Sequence, residues 1–273
     1  MKNLFAGKLA KRISNGIVVC AMALVVALII SPVLLTVISS VTSERGLSSF
    51  SIGQYWELIA NGKGYFYLYL RSFMVALLIT IGQVVISIIV GFLFGRFSFW
   101  GKTFLFVLYV IVLFLPYSAS LLPNYIIIRT LGLLNTQAAI ILPSVFMPLT
   151  VVISIIFISS LPQETFDAAL LETKSIFQVI RHILLPQISP AVVLTIIISF
   201  TEAWNLVEQP QALMEDRLLH PLSLLMNSIF GGGGINYAGC MLYLVPAFIL
   251  LVLFEDALSD KGIGGIKRQE TMK

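Results

Sequence analysis

Long apolar runs separated by short polar segments occupy most of this chain. Six runs, at 17–38, 72–95, 103–124, 138–160, 188–205 and 240–258, each approach the length of about 20 residues that a helix needs to cross a bilayer core. The pattern predicts an all-α membrane protein of six transmembrane helices, with both termini on one side. Two polar stretches break the rhythm in different ways. The stretch 39–70 carries Tyr55, Trp56, Tyr65, Tyr67 and Tyr69, the residues that prefer the headgroup level, and predicts an interfacial belt with a short surface helix around 52–60. The stretch 161–186 is too polar to span and too regular to be a random loop.

Within 161–186, Pro162 suits the first turn of a helix and Glu164 complements its dipole. Phe166, Ala169 and Leu170 follow at i, i+3, i+4 spacing and form one apolar stripe. Ser175 and Gln178 fit a capping box that opens a second helix, in which Ile176, Phe177, Ile180, Ile183 and Leu184 repeat an apolar face until Pro186 ends it. Two short helices meeting near Thr173 are expected. They fit either a knob seated in a partner's cleft or an amphipathic linker lying on lipid headgroups. A lipid surface favours a cationic polar face, whereas Asp167 and Glu172 give this one carboxylates.

Composition closes off other classes. The chain is 58% apolar and 11% charged, with a mean hydropathy of +0.99, so a soluble 273-residue domain is excluded. With the ends and the loops after the second and fourth spans assigned to the cytoplasm, 12 of the 17 Lys and Arg lie inside. Basic residues in short loops resist translocation, so both termini are read as cytoplasmic. The boundaries are a cytoplasmic N-terminus at 1–16, a six-helix transmembrane domain at 17–258 containing the polar element 161–186, and a cytoplasmic tail at 259–273. The net charge of +4 reflects this topology and calls for no nucleic acid. Cys20 and Cys240 fall near opposite membrane faces in this reading and belong to no metal motif.

Pro32, Pro116, Pro123, Pro143, Pro148 and Pro246 fall in or beside apolar runs, where each removes a backbone hydrogen bond and bends the helix. Bent helices in a bundle often surround a polar pathway. Glu202 and Asn205 stand one turn apart at the outer end of the fifth span, where an ionisable group is costly unless it meets water or a partner. Gln83, Tyr117 and Asn124 complete the candidate pathway set, although bonding across helices is the commoner use of a residue such as Gln83 and the other two suit the headgroup belt. The segment 206–239 reads as an outer loop with a glycine hinge at 231–234, and His220 as a surface residue. No catalytic constellation and no metal-ligand spacing emerges.

At the coupling element the chain resembles the permease subunits of ATP-binding-cassette (ABC) importers, which carry Glu-Ala-Ala, three residues, Gly, nine residues, then Ile-x-Leu-Pro. Here the spacing is kept as Asp167-Ala168-Ala169, Thr173 and Ile183-x-Leu185-Pro186, with Asp for Glu and Thr for Gly. Arg71-Ser72, Arg96-Phe97, Gly132 to Thr136 and Phe200-x-x-x-Trp204-Asn205 also look like the smaller permease of the maltose-type carbohydrate branch. The resemblance implies docking of a cytoplasmic ATPase through Phe166, Asp167, Ala168, Ala169, Leu170, Glu172, Thr173 and Lys174. It further implies a heterodimer with a second permease, an ATPase dimer that binds ATP and Mg, an extracellular or periplasmic substrate-binding protein, and residence in a bacterial cytoplasmic membrane. The chain itself is expected to be a multi-pass permease with no catalytic site or cofactor of its own. Two other readings stay open: the same architecture with a non-sugar cargo, or a membrane subunit for sensing or assembly.

Overall fold

In a computed structural model of the chain, residues 2–43, 46–60, 64–164, 166, 175–230 and 237–255 are described, and they are helical apart from one small hairpin. Two compact units emerge, Met1–Tyr65 with Gly234–Val245, and Phe66–Gly233 with Pro246–Lys273.

The first unit opens with α1 (Lys2–Ser40), whose most apolar stretch buries no side chain within this chain. A helix that is apolar all round needs lipid or another protein about it. Strands β1 (Thr42–Ser43) and β2 (Gly46–Phe50) pair antiparallel and lead to α2 (Gly53–Ala60), the expected short helix. Gln54 Nε2 donates to Ser39 O and Thr42 O, and Tyr55 Oη donates to Ser40 Oγ, so α2 is fastened to the end of α1.

The second unit holds α3 (Tyr65–Arg96) from Phe66 onward, α4 (Lys102–Leu113), α5 (Tyr117–Thr130), α6 (Gln137–Ser144) and α7 (Pro148–Ser160). Next come α8 (Ile176–Gln187), α9 (Ser189–Trp204), α10 (Glu208–Leu213), a 3₁₀ turn (Arg217–Leu219) and α11 (Leu222–Phe230). The last helix, α12 (Tyr237–Leu253), contributes a half to each unit.

The six expected spans are only partly realised as single helices. Among the described residues, three apolar helices, Val18–Ser40, Tyr65–Arg96 and Gln137–Ser160, are long enough to cross a membrane, and α12 is shorter, at 17 residues. The expected span 103–124 is broken: α4 and α5 bend by 102°. The break falls at Pro116, which has no N–H to donate and is itself extended (φ −63°, ψ 142°). Pro148 interrupts the fourth span more gently, opening α7 after an extended Met147. The fifth span, expected at 188–205, falls on α9, a 16-residue helix that α8 meets at 84°.

Small residues let these helices approach closely. A Cβ on Gly91 would stand 2.7 Å from Ser154 Cβ, one on Gly95 2.7 Å from Ile158, and one on Gly82 2.8 Å from Val145. The same sequence offset recurs in all three pairs, so α3 and the α6–α7 span run side by side in one direction. Helix α9 runs the other way. Its Phe200 and Trp204 meet Phe73 and Tyr69 near the start of α3, with ring centroids 5.8 and 5.5 Å apart, while Ile188 and Ala191 join Phe92 and Ile158 at the far end. Close approach through small residues is how helices associate where lipid is as apolar as the side chains.

Candidate functional site

The sequence candidates gather at two ends of this packing. At one end, α9 finishes with Glu202, Trp204 and the capping residue Asn205, and the chain turns into α10. Around that turn lies a recess of about 470 Å³ walled by Tyr117, Thr201, Glu202, Asn205 and Glu208, with Leu206 and Val207. Tyr117 is placed there by the break at Pro116, because α5 starts at that residue. Glu202 and Glu208 are exposed, and among the described residues no Lys or Arg belongs to the wall. Asn205 Nδ2 donates to Thr201 O (2.8 Å), which folds its amide back onto α9.

A buried polar chain leads from the recess into the helices. The Tyr117 hydroxyl is buried without a well-formed hydrogen bond, and the side chains of Gln209 and Asn124 lie beside it. Gln209, almost fully buried on α10, accepts from Ser144 Oγ at 2.6 Å, and Gln83 Nε2 donates to Ser144 O at 2.6 Å. Gln83 Oε1 is buried and unpartnered. The structure thus brings Tyr117, Glu202 and Asn205 into one recess, sets Asn124 beside Tyr117, and connects Gln83 to them only through Ser144 and Gln209. Thr201, Glu208 and Gln209 were not among the sequence candidates. Their signal was Pro210, which sits early in a helix that starts just past Asn205, in a segment read as loop.

That segment is built rather than slack. Asn135, at φ 60°, accepts from the backbone N–H of Glu215 (2.6 Å) and of Asp216 (3.4 Å), and its own N–H donates to Leu213 O. Asn tolerates this left-handed conformation better than most residues. Arg71 donates to Leu218 O and to His220 O (2.6 Å), Gln137 Nε2 to Leu219 O, and Ser72 Oγ accepts from Leu222 N. His220 is half-buried with Nε2 3.1 Å from Met214 O, a structural position. The glycines 231–234 lie outside the described residues.

A larger cavity, of about 630 Å³, lies along α3, α9 and the second half of α12 and has an almost wholly apolar wall that includes Phe73, Ile196, Phe200 and Ile249. It offers a polar cargo little to bond, so the recess at Glu202 is the better candidate despite its smaller volume.

At the opposite end, α7 stops at Ser160 and Leu161 is extended. Arg96, the last residue of α3, donates through Nη1 to Leu161 O (3.1 Å) and to Gln163 Oε1 (3.2 Å), and its guanidinium lies over the Phe166 ring at 5.6 Å. Phe166 is buried edge-on against Phe92 at 5.4 Å, within a cluster that includes Val179, Leu184, Ile188 and Ala191. The remaining candidates of the coupling element, Asp167, Ala168, Ala169, Leu170, Glu172, Thr173 and Lys174, lie outside the described residues, as does the expected hinge at Thr173.

The second helix of the element starts at the expected residue, Ser175 at the N-cap, but the expected side-chain cap bond does not form; the Ser175 carbonyl accepts from Gln178 N and Val179 N. It runs through Pro186 to Gln187, and its apolar face is not the expected one. A π-helical turn at Ile180–Leu184 fits an extra residue into the helix and rotates the residues before the turn by about 100° relative to those after it. Val179 and Leu184 are buried and Ile180 and Ile183 half-buried, while Ile176 and Phe177 are exposed.

Comparison with known proteins agrees with this architecture. A bacterial ABC transporter involved in the import of the acidic polysaccharide alginate has a chain that superposes with a TM-score of 0.75 at 14% identity, covering 92% of this chain and 98% of that one. The arabinooligosaccharides transport system permease protein AraQ of Halalkalibacterium halodurans is 26% identical over 84% of this chain and 81% of its own length. The sn-glycerol-3-phosphate transport system permease protein UgpE of Brucella abortus is 26% identical over 68% of each, and the diacetylchitobiose uptake system permease protein DasC of Streptomyces coelicolor 24% identical over 84% and 82%. Residues 87–260, well over half of the sequence, match the family described as the binding-protein-dependent transport system inner membrane component, and the chain, a multi-pass membrane protein, belongs to that family.

Proposed function

We propose that this chain is one permease subunit of an ATP-driven ABC importer for a sugar or oligosaccharide, forming half of the translocation pathway. The carrying observation is the recess at Glu202, whose hydroxyls, amide and carboxylates offer the hydrogen bonds a polyhydroxylated cargo needs. Among the described residues its wall holds two carboxylates and no cation, which favours a neutral sugar over a phosphorylated or acidic one. The names of the AraQ and DasC relatives point the same way, whereas that of UgpE supports a glycerophosphate as the competing cargo.

In this reading the six apolar segments span a bacterial cytoplasmic membrane with both termini inside. A second permease completes the pathway, a binding protein delivers cargo at the recess, and an ATPase dimer supplies the energy, so the chain needs no catalytic site of its own. The ATPase docks on 161–186: Asp167, Ala168, Ala169, Leu170, Glu172, Thr173 and Lys174 form the contact, the exposed Ile176 and Phe177 extend it, and buried Phe166 supports it from behind.

Two experiments test the reading. Proteoliposomes holding the complex and its binding protein should accumulate a labelled neutral oligosaccharide on addition of ATP. Accumulation of glycerol 3-phosphate instead would transfer the reading to the competing cargo. Separately, Ala169→Glu should abolish co-purification of the ATPase; full association would remove the docking role.

A further inference from the structure

We infer that Arg96 is the positioning residue that ties the ATPase-docking segment to the membrane helices, an inference that rests on the docking role proposed for 161–186. Arg96 ends α3, yet it reaches across to the segment leaving α7. Its Nη1 donates to Leu161 O at 3.1 Å and to Gln163 Oε1 at 3.2 Å, and its Cζ lies over the Phe166 ring, 5.6 Å from the centroid. Phe166 in turn packs edge-on against Phe92, one turn before Arg96 on the same helix. The docking segment is therefore gripped by α3 at two points: a charged group holds its backbone at Leu161 and an aromatic ring holds its side chain at Phe166.

The grip includes α9 through the same cluster, where Leu184, Ile188 and Ala191 meet Phe92 and Phe166. A displacement of the docking segment is thus shared at once by the ends of α3, α7 and α9. These helices carry Gln83, the packing partners of Gly91 and the recess residues Thr201 and Glu202. Without Arg96, the α7 exit at Leu161 is free to hinge, and motion of the segment is absorbed locally. Arginine suits both contacts, because one guanidinium nitrogen donates to the two oxygens while the delocalised charge stands over the ring.

The test uses the assembled complex in proteoliposomes, with Arg96→Ala and Arg96→Lys. Arg96→Ala is expected to keep the ATPase bound and its basal hydrolysis intact while uptake falls about ten-fold, within the range of residues in a coupling network. Arg96→Lys, which can reach Leu161 O but cannot cover Phe166, should recover part of that loss. The decisive readout is ATP hydrolysed per cargo taken up, which rises with a broken tie and stays constant when a variant only lowers the amount of folded complex. An unchanged ratio in Arg96→Ala overturns the inference, even if uptake falls. Loss of the ATPase from Arg96→Ala complexes also overturns it, since Arg96 would then belong to the docking surface itself. Ala169→Glu keeps the two ideas apart: if that variant retains the ATPase, the docking role fails independently of what Arg96 does.

Discussion

At the Glu202 end of α9 the helices part around a recess of about 470 Å³, and the residues meeting there are carboxylates, a phenol and amides. At the Arg96 end of α3 the same helices close on a cluster of Phe92, Ile158, Phe166, Leu184 and Ile188, with one cation laid over it. Between them runs a seam of small and hydroxylated residues, with Gly91 and Gly95 against Ser154 and Ile158. The contrast shows how a stiff body can work at both ends. In the proposed reading the closed end transmits force through short, mostly apolar contacts, and the open end binds with polar groups that are not all spent on one another. Gln83 Oε1, buried and unpartnered, and the Tyr117 hydroxyl, buried with only the Gln209 and Asn124 side chains beside it, are what such a polar end retains.

The sharpest way to break the comparison is to wedge the seam. Gly91→Val would set its Cβ 2.7 Å from Ser154 Cβ and 3.1 Å from the Ser154 carbonyl carbon, which backbone cannot accommodate. Destabilisation of about 3 kcal/mol is expected, the upper end for overpacking, with both ends lost together in a thermal melt of the purified protein. Gly82→Val meets only the Val145 side chain, which can turn away, and should cost visibly less. Equal losses at the two positions would mean the seam is looser than its geometry.

A smaller effect should separate the ends. Asn135→Ala removes the acceptor for Glu215 N and Asp216 N and puts a less tolerant residue at φ 60°. It should cost about 1–2 kcal/mol. Hydrogen exchange should rise at 213–220 beside the recess and stay unchanged at 176–188. Faster exchange in both regions would show that the ends are not independent.

Much of this contrast was readable in the residues. Apolar runs fixed where α1, α3, α7 and α9 lie, because each is long enough to outvote local detail. Pro116 and Pro148 were recognised as bends, but their angles were not, since a missing N–H says a helix must yield without saying how far. The recess was half legible: Glu202 and Asn205 stood out as polar groups at the end of an apolar run, whereas Glu208 and Gln209 were hidden in a polar segment where such residues draw no notice. Arg96 was visible only as part of a family-like pair with Phe97. Its role depends on Leu161 and Phe166, more than 60 positions on, which no local pattern connects to it. The π turn at Ile180–Leu184 escaped entirely, because a 3.6-residue period assumes the regularity that this turn breaks.

The mildest change bears on what the open end selects. Glu202→Gln keeps the shape and the hydrogen-bonding reach of an exposed side chain, so the fold should melt as the parent does. If the carboxylate works by repelling anions, a neutral oligosaccharide should be taken up within about two-fold of the parent rate, while an anionic sugar that the parent rejects should begin to enter. Competition between the two in one vesicle preparation measures the ratio directly and cancels differences in yield. A parallel drop for both cargoes would instead make Glu202 a hydrogen-bonding contact, and the charge of the recess would then act through Glu208 or have no part in selection.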